Sequence, residues 1–269
     1  MIAIISPAKN MREDEMWKNT VKNEMISYPS LHEETNHILS ELKKYSVEEI
    51  ARLMRISEKL AELNFERFKN MEFLKGNKED INEEKTPAVF AYDGMQYKYI
   101  EVEKMSYDEI EFMNSHLRII SGFYGVLKPL DLIDEYRLEM QTKLEVDEFK
   151  NLYSFWNNKI YNEIINGLEG SEIILNLASK EYSKTIEKYI SGKNSDKKYK
   201  FITCTFKVNK GGKMRVDSTS SKKSRGSMVK FIAENKIDTI EEVKKFSFDG
   251  FKYSEEESSE GELVFVKNI

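Results

Sequence analysis

The stretch Glu172-Ile-Ile-Leu-Asn-Leu-Ala-Ser-Lys-Glu-Tyr-Ser-Lys-Thr-Ile-Glu-Lys-Tyr-Ile190 sets a short apolar strand, Glu172 to Leu177, directly before a helix running from about Ser179 to Ile190. A strand that passes at once into a helix is the repeating step of sheets covered by helices. Working outward, the alternation returns. Ile2 to Ile5 reads as a short buried strand broken by Ser6-Pro7, and Leu117 to Ile120 as another, closed by Ser121-Gly122 and Gly125. Between them, from about Ser30 to Met71, apolar residues recur at intervals of three and four: Leu31, Ile38, Leu39, Leu42, then Val47, Ile50, Leu53, Met54, then Leu60, Leu63, Phe68. Ser46 and Ser57 stand where N-caps would start the second and third of these helices, so two short helices joined by a tight turn are expected from Ser46 to Phe68.

After a charged stretch from Asn77 to Lys85, Ala88 to Tyr92 reads as a strand entering a turn at Asp93-Gly94, with a hairpin continuing through Tyr97 to Val102. Helices are expected at about Tyr107 to Ser115, Leu152 to Ile165 and Met228 to Asn235, and a strand at Tyr199 to Val208 before a Gly211-Gly212 hairpin turn. The expected fold is α/β in the mixed α+β sense: a single compact domain over residues 1–269, its mixed sheet flanked by helices, with a helix-hairpin-helix-like element near residues 46–68.

The chain has 269 residues, 40% of them hydrophobic and 12% aromatic, enough to bury a substantial core, and its four prolines and twelve glycines leave no stretch that reads as a linker. An opening apolar run of only four residues, with no basic region before it, is too short for a signal segment or a span, so a cytoplasmic protein without a membrane partner is expected. The lone Cys204 can form neither an internal disulfide nor a multi-thiolate metal site, and three histidines leave little material for a metal centre. No metal, no cofactor and no obligate protein partner is therefore expected. The net charge is −5, yet eleven Lys and Arg face two Asp between Asp196 and Lys230, and nine acids face three lysines between Asp238 and Glu262. Such asymmetry is what one anion-binding face produces, and what chance clustering of charges also produces.

The chemistry is expected where the strands end. Ile2–Ile5 exits into Ser6-Pro-Ala-Lys9, Leu117–Ile120 into Ser121-Gly-Phe-Tyr-Gly125, and Ile173–Leu175 into Asn176-Leu-Ala-Ser-Lys180. If the three strands are parallel neighbours, these turns converge on the crevice where open α/β sheets bind ligands. Ser179 and Lys180 either cap a helix in solvent or meet a phosphate oxygen. Arg137, in an apolar setting with Asp131 and Glu139, either pairs with an acid or presents its planar fork to a phosphate. The run Lys213-Met-Arg-Val-Asp-Ser-Thr-Ser-Ser-Lys-Lys-Ser-Arg-Gly226 is either a solvated loop or an anion site leading into the helix at Met228, where Gly226 would let the backbone approach a ligand. Arg52, Arg55 and Lys59 lie near the turn between the two short helices, which is either an ordinary helical hairpin or one that grips a DNA phosphate.

Taken together, these segments resemble the YaaA peroxide-stress family. The matching pieces are Ser6-Pro-Ala-Lys9, Tyr92-Asp-Gly94, Arg118-Ile-Ile-Ser-Gly-Phe-Tyr-Gly-Val-Leu-Lys-Pro-Leu-Asp131, Tyr136-Arg-Leu-Glu-Met140 with Thr142-Lys-Leu144, Leu152-Tyr-Ser-Phe-Trp156, Asn176-Leu-Ala-Ser-Lys-Glu-Tyr182 and Lys223-Ser-Arg-Gly226. The resemblance implies a mixed α/β fold with a positively charged cleft, a helix-hairpin-helix-like element here carrying Arg55, Ser57 and Lys59, and binding to double-stranded DNA. It also implies protection against hydrogen peroxide by limiting free iron. Carried onto this chain, it places Lys9, Arg118, Arg137, Lys143, Lys180, Lys223 and Arg225 in the cleft, beside the Ser6 and Ser179 read from the strand ends. Two other readings stay open. One is an enzyme acting on a nucleotide or nucleobase, with Asp93 as general base and Lys9 as electrostatic stabiliser among Ser6, Ser179 and Lys180. The other is direct iron sequestration by the acidic C-terminal carboxylates.

Overall fold

All four residues of Ile2–Ile5 are buried, which a strand achieves in the interior of a sheet covered on both faces. The computed structural model describes residues 1–75, 85–168, 170, 172–190 and 198–269; the charged stretch from 77, except Lys85, and Asp196 lie outside the described residues. In chain order the elements are β1 (Ile2–Ile5) and β2 (Asn10–Met11), the helices α1 (His32–Leu42), α2 (Val47–Met54) and α3 (Glu58–Asn70), then β3 (Thr86–Pro87), α4 (Ala88–Ala91), β4 (Tyr92–Asp93) and α5 (Met95–Lys98). There follow α6 (Tyr107–His116), β5 (Leu117–Ser121), β6 (Gly125–Leu127), β7 (Leu132–Ile133), α7 (Leu152–Trp156), α8 (Lys159–Asn166), β8 (Ile173–Asn176) and α9 (Lys180–Ile190). The chain finishes through β9 (Lys200–Lys210), β10 (Lys213–Arg215), α10 (Ser218–Glu234), α11 (Ile240–Val243), β11 (Ser247–Phe248), β12 (Phe251–Tyr253) and β13 (Glu262–Asn268).

One nine-stranded sheet carries the fold, in the order β11-β12-β13-β9-β8-β1-β5-β6 with β10 paired to β9. The run β13-β9-β8-β1-β5 is parallel, and β6, β10, β11 and β12 add antiparallel edges. This is the mixed sheet flanked by helices that the sequence implies, built around one contiguous apolar core. β1 sits between β8 and β5, with Ile4 opposite both Arg118 and Asn176. The three strand ends are thus parallel neighbours. Among the described residues no helix is long and apolar enough to cross a membrane.

Four expectations give way, each for a local reason. Ala88 to Ala91 is a helix, not a strand: all four residues are buried, and a short apolar run does not by itself say which period it follows. The Ala88 and Val89 N–H groups donate to the carbonyls of Asp131 and Pro129, each at 2.9 Å. The hairpin expected through Tyr97 to Val102 is instead the short helix α5, followed by Glu101 at φ 54°. The helix expected over Leu152 to Ile165 is divided into α7 and α8 by Asn157, whose φ is 41° and ψ −117°. The last long helix begins at Ser218 rather than near Met228, because the Asp217 carboxylate caps it by accepting from the Ser220 N–H at 2.6 Å. Much of the serine-rich basic run is therefore helix, and its cations take fixed faces.

Asp131 links the loop after β6 to the segment around Ser27. Its carboxylate accepts from the Ser27 hydroxyl at 2.6 Å and from the Lys128 N–H at 2.8 Å. Burial nevertheless outweighs these bonds and the charges of Lys128 and Arg118, and pushes its pKa up to about 6. Between the ordinary carboxyl range and that value the folded chain holds a proton that the unfolded chain has released. Stability from this group is thus complete below about pH 4 and is lost as pH rises through about 6, by roughly 3 kcal/mol. Urea midpoints of the native chain and of Asp131→Asn, compared from pH 4 to 7, should diverge by that slope; parallel curves would show that Asp131 titrates normally.

Candidate functional site

Because β5, β1 and β8 run in parallel side by side, their carboxyl ends open together. Ser6, just past β1, ties two of these ends: its Oγ accepts the Ser179 N–H at 2.8 Å and lies 3.3 Å from the Ser179 hydroxyl. The Tyr97 hydroxyl donates to the Ser6 carbonyl at 3.0 Å. Gly94 permits the close approach of the next wall, since a Cβ there would lie 2.9 Å from the Ala8 Cβ. The result is a cavity of about 330 Å³ whose walls come from five stretches: residues 6–10, 93–97 and 136–139, then Ser179 with Tyr182, then Lys222 with Arg225.

The third strand end does not open into it. The Ser121 hydroxyl accepts the N–H groups of Phe123 and Tyr124 at 3.1 and 2.9 Å and meets the Tyr136 hydroxyl at 2.7 Å, which in turn meets that of Tyr92 at 2.7 Å. Burial pushes the Tyr136 phenol up to about 12, so this hydroxyl chain remains neutral. It closes the floor of the pocket.

The charges divide unequally. Lys9 and Arg137 share one carboxylate oxygen of Glu139, at 2.8 and 3.2 Å. Burial alone would raise the Glu139 pKa, but the Lys9 hydrogen bond and charge, with help from Gln141 and Arg137, hold it below the usual range. Asp93 is 3.3 Å from the Lys98 ammonium. Lys222 and Arg225, in contrast, form no ion pair among the described residues, and they sit three apart on one face of α10. Burial lowers the proton affinity of the Arg225 guanidinium, and the neighbouring Cys204 thiol is itself pushed up by burial. Three residues that line the cavity each carry a buried N–H donor without a hydrogen-bond partner: Arg225 at Nε, Arg137 at Nε and Gln96 at Nε2. Buried donors of this kind are rare, because each forfeits its hydration.

Of the residues singled out from sequence, Ser6, Lys9, Arg137, Ser179 and Arg225 line this pocket, as does Asp93. The others go elsewhere. Lys180 is exposed and pairs with Glu187. Lys143 is exposed and outside the walls. Lys223 turns to the opposite flank of α10, 5.6 Å from the Tyr99 ring. Arg118 lies at the amino ends of the strands, buried, donating from one nitrogen to the carbonyls of Asn114, Ser115 and Leu117 at 3.1, 3.3 and 2.7 Å, beside a separate cavity of about 480 Å³. Gly226 does not face a ligand: a Cβ there would lie 2.1 Å from the Gln96 carbonyl, so the glycine serves the contact between α10 and α5.

The helical hairpin of α2 and α3 is present, with Ser46 forming a complete capping box. Its turn passes through Arg55, which adopts the left-handed conformation at φ 54° and ψ 52°, a place usually given to glycine. Ser57 is extended and makes no capping bond. Neither residue, nor Lys59, touches the pocket. Sequence reading passed over Lys222, Gln96 and Tyr182. The signal for Lys222 was the Asp217-x-x-Ser220 cap, which starts the helix early and puts Lys222 and Arg225 on one face. Among the described residues no three or more His, Cys, Asp or Glu side chains gather as a metal site.

The family model described as peroxide stress protein YaaA matches residues 1–257. A UPF0246 protein of Clostridioides difficile (strain 630) is 48% identical over 268 residues, covering 99% of this chain and 100% of that protein. UPF0246 proteins of Rickettsia peacockii (strain Rustic) and Ligilactobacillus salivarius (strain UCC118) are 42% and 38% identical, each over 100% of both chains.

Proposed function

Since this chain belongs to the family of the peroxide stress protein YaaA, we propose that it acts in the response to hydrogen peroxide by binding the phosphates of double-stranded DNA in its basic cleft. The damage it limits is the iron-driven kind. A nucleic-acid polyanion collects cations, and a protein that neutralises phosphates with Lys and Arg releases them. Iron displaced in this way would generate its radicals away from the strand. The observation that carries the phosphate reading is the pair Lys222 and Arg225, uncompensated by any described acid, on a wall where buried N–H groups lack acceptors. Lys9 stands exposed on the same pocket, and Arg55, Ser57 and Lys59 of the helical hairpin supply a second, sequence-insensitive phosphate contact.

The test is the salt dependence of duplex binding, followed by fluorescence anisotropy. With Lys9, Lys222 and Arg225 each neutralising one phosphate, affinity should fall roughly forty-fold between 50 and 200 mM salt, and Lys222→Gln should reduce the logarithmic slope by about 1. A flat salt dependence overturns the reading. A second reading, an enzyme acting on a nucleotide or nucleobase, is favoured by one observation: a cavity of about 330 Å³ lies in the size range of small-molecule sites. It gives Asp93 the role of general base and Lys9 that of stabiliser, and it requires nucleotide turnover that Asp93→Asn abolishes.

A further inference from the structure

We infer that the pocket selects a terminal phosphate, the dianionic monoester carried by a nucleotide, over the singly charged diester of an unbroken strand. This rests on the reading of the pocket as a phosphate site and specifies which phosphate it takes.

Lys9 and Arg137 share the single charge of Glu139, the nearby Glu181 carboxylate acts on Lys9 as well, and Lys98 answers Asp93. What remains uncompensated among the described lining residues is Lys222 and Arg225, two positive charges on adjacent turns of one helix. A monoester dianion matches them, whereas a diester leaves one charge unanswered.

The number of unpartnered donors points the same way. Arg225 Nε, Arg137 Nε and Gln96 Nε2 lack partners and come from three separate stretches of the chain: α10, the segment after β7, and α5. Gln96 is only 7% exposed, so water does not serve its amide freely. Three acceptors are what the three terminal oxygens of a monoester supply; a diester, with two bridging oxygens committed to carbon, presents two. About 330 Å³ admits a group the size of a mononucleotide, so an unbroken duplex reaches the pocket with a phosphate only at its mouth. Tyr97 and Tyr182 line the same space and give a flat base aromatic surface to lie against. The phosphate-bearing molecule is then either a free nucleotide or the phosphorylated end of a strand.

The experiment uses the full chain with thymidine 5′-monophosphate, its methyl ester, thymidine and inorganic phosphate, followed by calorimetric titration. It adds one single-stranded oligonucleotide with and without a 5′-phosphate. The monophosphate should bind at least tenfold more tightly than the methyl ester or thymidine. Arg225→Gln should abolish that preference. Lys222→Gln, on an exposed side chain that cannot unfold the core, should reduce it several-fold. If the 5′-phosphorylated oligonucleotide competes and its 5′-hydroxyl twin does not, the strand end is the source; if only the mononucleotide competes, the free nucleotide is. Equal binding of monoester and methyl ester, or an unchanged preference in Lys222→Gln, overturns the inference. Should duplex binding keep its steep salt dependence in that case, the broader phosphate reading survives alone. Binding of no phosphate species would remove both.

Discussion

Trp156→Ala is expected to lower the melting temperature by roughly 10 °C or more. The side chain is fully buried, and removing a buried tryptophan costs about 3–5 kcal/mol, through lost transfer energy and the void left behind. The neighbours cannot collapse into that void. Gly125 already stands so close that a Cβ there would lie 2.7 Å from the indole, and the ring of Phe155 is 5.2 Å away, edge-on. The indole N–H also donates to the Gly122 carbonyl at 3.0 Å. Gly122 in turn packs against the backbone from Leu138 to Met140, where its Cβ would be 2.6 Å from the Leu138 carbonyl. That segment carries Glu139 and adjoins Arg137, so the variant should lose the proposed phosphate affinity along with stability. Trp156→Phe keeps most of the packing and forfeits the hydrogen bond, and should cost only about 1–2 kcal/mol. Thermal unfolding of the two variants checks the division; equal losses would show that the bond, not the volume, matters.

Gly226→Ala carries the second large effect, and two opposing terms decide its sign. Inside a helix, alanine is better than glycine by about 1 kcal/mol. Here, however, the new methyl would lie 2.1 Å from the Gln96 carbonyl oxygen, 3.0 Å from its carbon and 2.9 Å from the Tyr99 Cβ, none of which is the loose end of a side chain. Overpacking of this kind costs about 3 kcal/mol or somewhat more. The net expectation is a melting temperature lower by roughly 5–10 °C. Arg225 and Gln96 are the flanking pocket residues, so displacing α10 from α5 should also weaken phosphate binding. A rise in melting temperature would mean that helix propensity wins and that the two helices are not in contact.

The particular residues show what could be read in advance. Ile2–Ile5, Leu117–Ile120 and Ile173–Leu175 were legible as strands because continuous apolar runs of that length fit a buried parallel position, and their adjacency delivered Ser6, Lys9 and Ser179 to one pocket. The cations on longer tethers were not legible. Lys180, Lys143 and Lys223 look equivalent to Lys9 in a string, yet a helix rotates each residue by a fixed angle, and that rotation sent Lys223 to Tyr99 and Arg225 into the wall. Arg118 was misplaced for a different reason. It is the second residue of its strand, so it stays at the amino ends of the sheet, one strand length from the pocket at the carboxyl ends of its neighbours. Ala88–Ala91 escaped because its burial is complete and so leaves no periodic trace.

The walls of the pocket are drawn from residue 6 near one end of the chain to residue 225 near the other. No fragment or locally unfolded form can keep such a place intact, so occupancy reports on the whole molecule at once. A molecule that settles there at a hundredfold excess over its dissociation constant adds about 2.7 kcal/mol to the cooperative unfolding of every element that contributes a wall. Amide protons in the sheet interior, far from any phosphate, would then exchange about a hundredfold more slowly, making this small concavity a governor of the lifetime of the entire fold.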